Sequence, residues 1–303
     1  MLLLRLVKRN ILVYSRERSN IFYSLLATLI IIGLMAIFLG KMNSDGLVDL
    51  LNKYGGVRDA VTDTANANQL IIMWTLAGIV VVNSVTITLA MVGIMVEDEA
   101  RKRLAGFFVT PVNRGLFVMG YITAAIIMGV IMCSLTVVIG EVYLWATGGV
   151  LLTALQLGKI LFFIILNVFS SASMVFLLVN FVHSTSAFGG LSTIIGSLVG
   201  FLAAIYLPMG MLPAKVQTVL KFFPLLHGCS FMRTIFTEEA VATTFMNSPA
   251  KVADGYKEYM GMSISWNGNI IDDRIQVAIL LISGIIFIVI SAMIQKRRDV
   301  ISR

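Results

Sequence analysis

Several runs of about twenty apolar residues, free of charge and separated by charged stretches, constrain this chain more than any other feature. A helix needs roughly 20 apolar residues to cross the ~30 Å hydrocarbon layer, and inside that layer the backbone must satisfy its own hydrogen bonds. Of the 303 residues, 58% are hydrophobic and 13% charged, and almost all of that charge lies between the runs. The sequence therefore predicts an all-α membrane protein, a single domain with six transmembrane helices over 21–40, 69–96, 116–140, 160–182, 187–207 and 275–294.

The segments between the runs are unlike one another. Within residues 1–20, Leu3, Leu4, Val7, Ile11 and Tyr14 fall on one helical face and Arg5, Lys8, Arg9 and Arg16 elsewhere. That pattern predicts a basic amphipathic helix lying on the membrane surface. Arg5, Lys8 and Arg9 also break the apolar start too early for a cleavable signal peptide. Residues 41–68 are polar and read as a loop. Residues 208–237 carry Pro208, Pro213 and Pro224 among apolar pieces too short to span, which suits helices that dip into the bilayer and return. Residues 238–272 are polar and read as an irregular outer loop.

The formal charge of +7 fits the gathering of Lys and Arg at cytoplasmic span ends better than nucleic-acid binding. With the N-terminus inside, 13 of the 23 basic residues sit tightly against cytoplasmic span ends. A multi-pass plasma-membrane protein with both termini in the cytoplasm is expected.

Catalytic motifs are absent. Gly40-Lys41 and Gly158-Lys159 lack the remaining residues of a phosphate-binding loop. No H-E-x-x-H or G-x-S-x-G occurs, His183 and His227 are far apart, and Cys133 and Cys229 have no ligand spacing. A non-catalytic chain without bound cofactor or metal is expected. The six runs hold no Asp, Glu, Lys, Arg or His. Ion-coupled transporters keep such residues in their spans, so energy supplied from outside the bilayer is favoured.

The charged segment 97–114 is the most informative. Glu97, Asp98 and Glu99 suit the first turn of a helix over 97–109. Arg101, Lys102 and Arg103 follow, then Phe107-Phe108, and Thr110-Pro111 ends the helix before Arg114. A charged helix with an aromatic end fits a groove on a cytosolic partner; a solvated loop that only orients the protein is the plainer alternative. In the second run, Asn83, Thr86 and Ala90 make a mildly polar stripe. In the fifth, Ser192, Gly196 and Gly200 stand in small-x-x-x-small register, flanked by Phe188 and Phe201. These two stripes suit a pathway or a seam between copies, or ordinary packing within one chain.

The stretch from Asp98 to Arg114, with Phe107, Phe108 and Thr110-Pro111, resembles the cytoplasmic coupling segment of ABC-2 type exporter permeases. Ala187-Phe188-Gly189-Gly190 through Phe201, then Tyr206-Leu207-Pro208, Leu212-Pro213, Phe223-Pro224 and Arg233, resembles the fifth span and the outer re-entrant helices of bacterial members. With the six-span layout the resemblance covers essentially the whole chain. It implies a permease without ATP-site residues, docked through Glu99, Arg101, Arg103, Phe107, Phe108, Thr110, Pro111 and Arg114 on a separate ATPase subunit that holds ATP and Mg. It also implies a second permease copy, with amphiphilic cargo (drug, antibiotic or peptide) exported past spans two and five. Two departures stand out: the family commonly has Gly where Lys102 stands, and often an acid where Ala105 or Gly106 stands. A membrane sensor or assembly scaffold is the alternative of another class.

Overall fold

The computed structural model describes residues 2–301 apart from 20, 23–25, 27–28, 31–32, 34–39, 55–58, 104–113, 183 and 247, with backbone only at 40, 114 and 295–301. Helices dominate. The first, α1 (Leu2–Arg16), is the expected amphipathic helix: Val7, Asn10 and Tyr14 are buried against its neighbours, and Leu4 and Arg5 face out. Most of the first apolar run, 21–40, lies outside the described residues.

Residues 41–54 and 60–68 are helical rather than a loop. Helix α2 (Gly40–Tyr54) is polar overall, yet Leu47 and Leu51, one turn apart, are buried where it packs on α3. Helix α3 (Ala60–Ala100) starts well before the second run because Asp59 caps it, its carboxylate accepting from the Thr62 amide at 3.1 Å. At 41 residues α3 is about 60 Å long, twice the hydrocarbon thickness. It is also the hub of the molecule: α2, α4, α5, α6 and α8 all pack on it.

Helices α4 (Arg114–Ala146) and α5 (Ala154–Val179) complete the inner bundle. A capping box between Thr153 and Gln156 starts α5. Polar side chains pair between helices: Asn83 of α3 donates to the Thr136 hydroxyl of α4 at 2.9 Å, and the Ser84 and Ser171 hydroxyls of α3 and α5 are 2.9 Å apart. Such contacts join helices where lipid supplies no hydrophobic drive.

Helix α6 (Thr185–Leu202), capped by Ser184, packs chiefly on α3. It ends five residues short of the expected 207, because Ala204 turns left-handed at φ 50 and closes the helix. A 3-10 turn (Met209–Met211), the short α7 (Ala214–Leu220) and the longer α8 (Pro224–Thr244) follow. Pro208 and Pro213 cap the first two, and Pro224 is the first residue of α8, where its missing N–H costs no helical bond.

Residues 238–272 are not irregular. Helix α8 continues to Thr244, α9 (Ala250–Tyr259) follows, and β1 (Ser265–Trp266) pairs antiparallel with β2 (Asn269–Ile270). Asn267 and Gly268, at φ 51 and 82, form the two-residue turn that such a hairpin needs. The last helix, α10 (Asp273–Ile301), packs on α5 and α8. Five helices among the described residues are long and apolar enough to cross a membrane: Ala60–Ala100, Gly115–Ala146, Ala154–Val179, Thr185–Leu202 and Asp273–Ile294.

Candidate functional site

The charged segment begins inside α3, not at the start of a new helix. Nothing caps the chain between Val96 and Glu97, so the acids fall in the last turn of α3, where the helix dipole disfavours negative charge. Basic neighbours offset that cost. The Asp98 side chain is 1% exposed and is gripped by Arg9 of α1 through two hydrogen bonds, Nη2 to Oδ1 at 2.9 Å and Nη1 to Oδ2. The Tyr121 hydroxyl of α4 donates to Oδ2 at 2.7 Å, and Arg103 Nη1 reaches Oδ1 at 3.4 Å. Donation to Asp98 in turn raises the Arg9 pKa above its usual value. Arg101 pairs one turn back with Glu97 at 2.7 Å.

The helix then stops in a Schellman turn. The Arg103 amide donates to the Asp98 carbonyl at 2.9 Å and the Lys102 amide to the Glu99 carbonyl at 3.0 Å, with Lys102 at φ 55. That conformation suits glycine best, which gives a physical reason for a glycine at this position. Of the docking residues expected from the sequence, Glu99, Arg101 and Arg103 are exposed on this turn and Arg114 begins α4. Phe107, Phe108, Thr110 and Pro111 lie outside the described residues. Sequence reasoning missed Arg9, Asp98 and Tyr121 as one cluster, because the partners are 89 and 23 positions apart.

Beside this node a cavity of ≈ 730 Å³ opens between α3 and α6. Thr86, Ala90 and Gly93 line it from α3, Phe188 and Ser192 from α6, with Glu97 and Arg101 at its charged end. It thus brings together Thr86, Phe188, Ser192 and Arg101. The Phe188 ring fills the space over Gly93, where a Cβ would stand 2.6 Å from the ring. Among the described residues the buried Ser192 hydroxyl has no hydrogen-bond partner. Asn83 does not join them; it is buried against α4.

The small-residue stripe of α6 divides in two. Gly196 faces open space, whereas a Cβ on Gly200 would sit 2.3 Å from the Tyr206 ring of the same chain. Gly200 therefore serves an internal contact. Phe201, 49% exposed, meets the Tyr206 ring edge-on at 5.1 Å.

In the other half of α3, Arg233 of α8 is fully buried, and among the described residues no carboxylate pairs with it. Its Nη2 donates to the Ala204 carbonyl at 2.8 Å and Nη1 to the Met260 carbonyl at 3.3 Å, and the guanidinium lies 4.1 Å from the Trp74 ring centre. Both carbonyls terminate helices, α6 and α9, and so carry the negative end of a helix dipole. Trp74 Nε1 donates to the same Met260 carbonyl at 2.8 Å. The buried charge is thus held by two helix ends and an aromatic face.

Long apolar helices around one hub, joined by interhelical polar pairs, define a multi-pass α-helical membrane protein. Residues 52–293 match the model of the family described as ABC-2 family transporter protein, so the chain belongs to the ABC-2 transporter family. It is the membrane domain of an ABC transporter, a type of subunit that is typically non-catalytic and works with an ABC ATPase in the membrane. No curated protein matches the sequence.

Proposed function

We propose that this chain is the permease of an ATP-driven exporter that moves an amphiphilic small molecule out of the cell, using ATP and Mg held by a separate ATPase subunit. The observation that carries this is the construction of the α3 end. Asp98 ties α3, α1 and α4 together through Arg9 and Tyr121, while Glu99, Arg101 and Arg103 face solvent from the same turn. A push received by segment 97–114 would reach three helices at once. The cavity beside it, with hydroxyls and an aromatic ring in an apolar wall, suits an amphiphile.

In this reading Phe107, Phe108, Thr110, Pro111 and Arg114 complete the docking surface, and both termini face the cytoplasm. A second permease copy packs on α6, of whose apolar window only 11% is buried within this chain. The surface around Gly189, Gly190 and Gly196 is open to it. Helices α7 and α8 dip into the outer leaflet. The test is isolation of the tagged chain from its native membrane, with identification of the ATPase that accompanies it. Phe107→Ala and Phe108→Ala should lose or uncouple that ATPase. If none accompanies the parent chain in any detergent, the exporter reading fails and a scaffold takes its place.

A further inference from the structure

A cavity of ≈ 280 Å³ lies among the 3-10 turn, α7, α8, α9 and the start of the hairpin, and none of its described lining residues belongs to α3. Its size stands at the lower edge of the range for small-molecule sites. Tyr259 forms an aromatic wall over Gly210, where a Cβ would stand 2.2 Å from the ring. Two opposite charges line the same space, Lys221 at the end of α7 and Glu258 of α9. Among the described residues neither has an ion-pair partner, and they do not pair with each other. Opposite charges that face one cavity and stay apart leave room for a guest that pairs with both.

Polar groups of both kinds surround them. Glu258 accepts from the Ser265 hydroxyl. Gln217 donates its Nε2 to the Leu212 carbonyl at 2.8 Å, so its own carbonyl end is a second acceptor in the lining. Ser263 also lines the cavity, and among the described residues its buried hydroxyl has no hydrogen-bond partner. Gly261 forms part of the wall, and a Cβ there would stand 3.2 Å from Arg233 Nη1. The buried guanidinium thus lies directly behind this wall and adds positive potential to it.

We infer that this cavity binds a small zwitterion. Lys221 and the Ser263 hydroxyl hold its anionic group in the field of Arg233, Glu258 and Gln217 hold its ammonium group, and Tyr259 covers its apolar part. A guest with one charge only would strip water from the opposite charge of the cavity without pairing it, which costs affinity. A free amino acid and the head of an ethanolamine phospholipid share this chemistry. Phe222 and Trp266, each next in sequence to a lining residue, are exposed and meet edge-on at 5.3 Å, a surface that suits the chains of the lipid. The site is separate from the α3–α6 cavity and does not rest on the exporter reading.

Calorimetric titration of the purified full chain in detergent tests this. The probes are L-leucine with leucinamide and N-acetyl-leucine, and glycerophosphoethanolamine with ethanolamine and glycerol phosphate. At least one of the two zwitterions should bind saturably, and its analogues with a single charge at least about tenfold more weakly. Binding of leucine alone assigns the site to free amino acids, binding of the headgroup alone to the lipid, and binding of both to the shared chemistry. Lys221→Gln and Glu258→Gln should each weaken the zwitterion about tenfold. Gly255 lines the cavity and a Cβ on it meets nothing within 4 Å. Gly255→Leu should therefore fill the space and abolish binding, while the better helix former leaves Tm at or above the parent's. A singly charged analogue that binds as tightly as its zwitterion, binding that survives Gly255→Leu at unchanged Tm, or no saturable binding of either zwitterion up to about 10 mM overturns the inference. Absence of an accompanying ATPase overturns the exporter reading alone.

Discussion

Replacing Asp98 with asparagine removes one charge and almost no volume, and the structure sets what that should cost. The carboxylate is 1% exposed and accepts from Arg9 Nη2 at 2.9 Å and from the Tyr121 hydroxyl at 2.7 Å. Hydrogen bonds to a charged group contribute about 1.5–3 kcal/mol, those between neutral groups about 1 kcal/mol. The asparagine carbonyl still serves Tyr121, but its amide sets donors against the Arg9 guanidinium. Arg9 is 31% exposed and can turn toward water, which limits the damage to less than that of a fully buried broken pair. Asp98→Asn should therefore destabilise the chain by about 2 kcal/mol and Asp98→Ala by about 3 kcal/mol. Equilibrium unfolding of the purified chain in detergent measures both. Hydrogen exchange adds a local readout, since the amides of α1 should lose protection before those of α5. A cycle with Arg9→Gln should return a coupling of about 1–2 kcal/mol. A single-variant loss under about 0.5 kcal/mol with unchanged α1 exchange would show that this cluster does not hold α1, and would remove the basis for linking α1 to the docking segment.

Other expectations follow from particular contacts. Lys102→Gly should raise stability by roughly 0.5–1 kcal/mol by relieving the left-handed residue, while Lys102→Val should lower it; thermal unfolding of the pair decides. Gly200→Ala should cost about 1–3 kcal/mol through overpacking on the Tyr206 ring, and the loss should shrink when Tyr206→Ala is added. Gly196→Ala meets nothing among the described residues and should leave stability unchanged; a shift in the dimer fraction measured by cross-linking would show a second copy seated there. Trp74→Phe keeps an aromatic face for Arg233 but deletes the donor to the Met260 carbonyl, at a cost of about 1 kcal/mol in the same unfolding assay.

The apolar runs made the spans legible because lipid imposes length and composition on any helix that crosses it. The ends of those helices were less legible, because they depend on caps and on long-range burial. Asp59 and Thr62 extend α3 by most of three turns beyond its apolar run, and Leu47 and Leu51 hold α2 against it. The acids after Val96 read as a helix start because local dipole logic favours them there; Arg9, 89 positions away, reverses that reading by burying Asp98 at a helix end. Glu99, the acid expected to matter, is the one left in solvent. The two glycines of the α6 stripe are alike in sequence. Only the fold shows that Tyr206 covers Gly200 and that Gly196 stays open. The hairpin turn at Asn267-Gly268 was present in the sequence as a short-range signal, but the polar surroundings of 238–272 obscured it.

Helix α3 links these observations mechanically. One unbroken helix carries the Arg9–Asp98–Tyr121 cluster at one end and the Trp74–Arg233–Met260 cluster in its other half, with one cavity beside the first cluster and another along Thr64 to Leu76 at the far end. Proline and helix-terminating turns are absent from Ala60 to Ala100, so a displacement at Asp98 is transmitted along the axis rather than absorbed by a hinge. Helix α6 is different: it packs chiefly on α3, ends in a left-handed alanine, and its carbonyl end is pinned by Arg233. Helix α3 is thus the rigid element, and α6 the one held by few contacts, chiefly along α3 and at its Arg233 end.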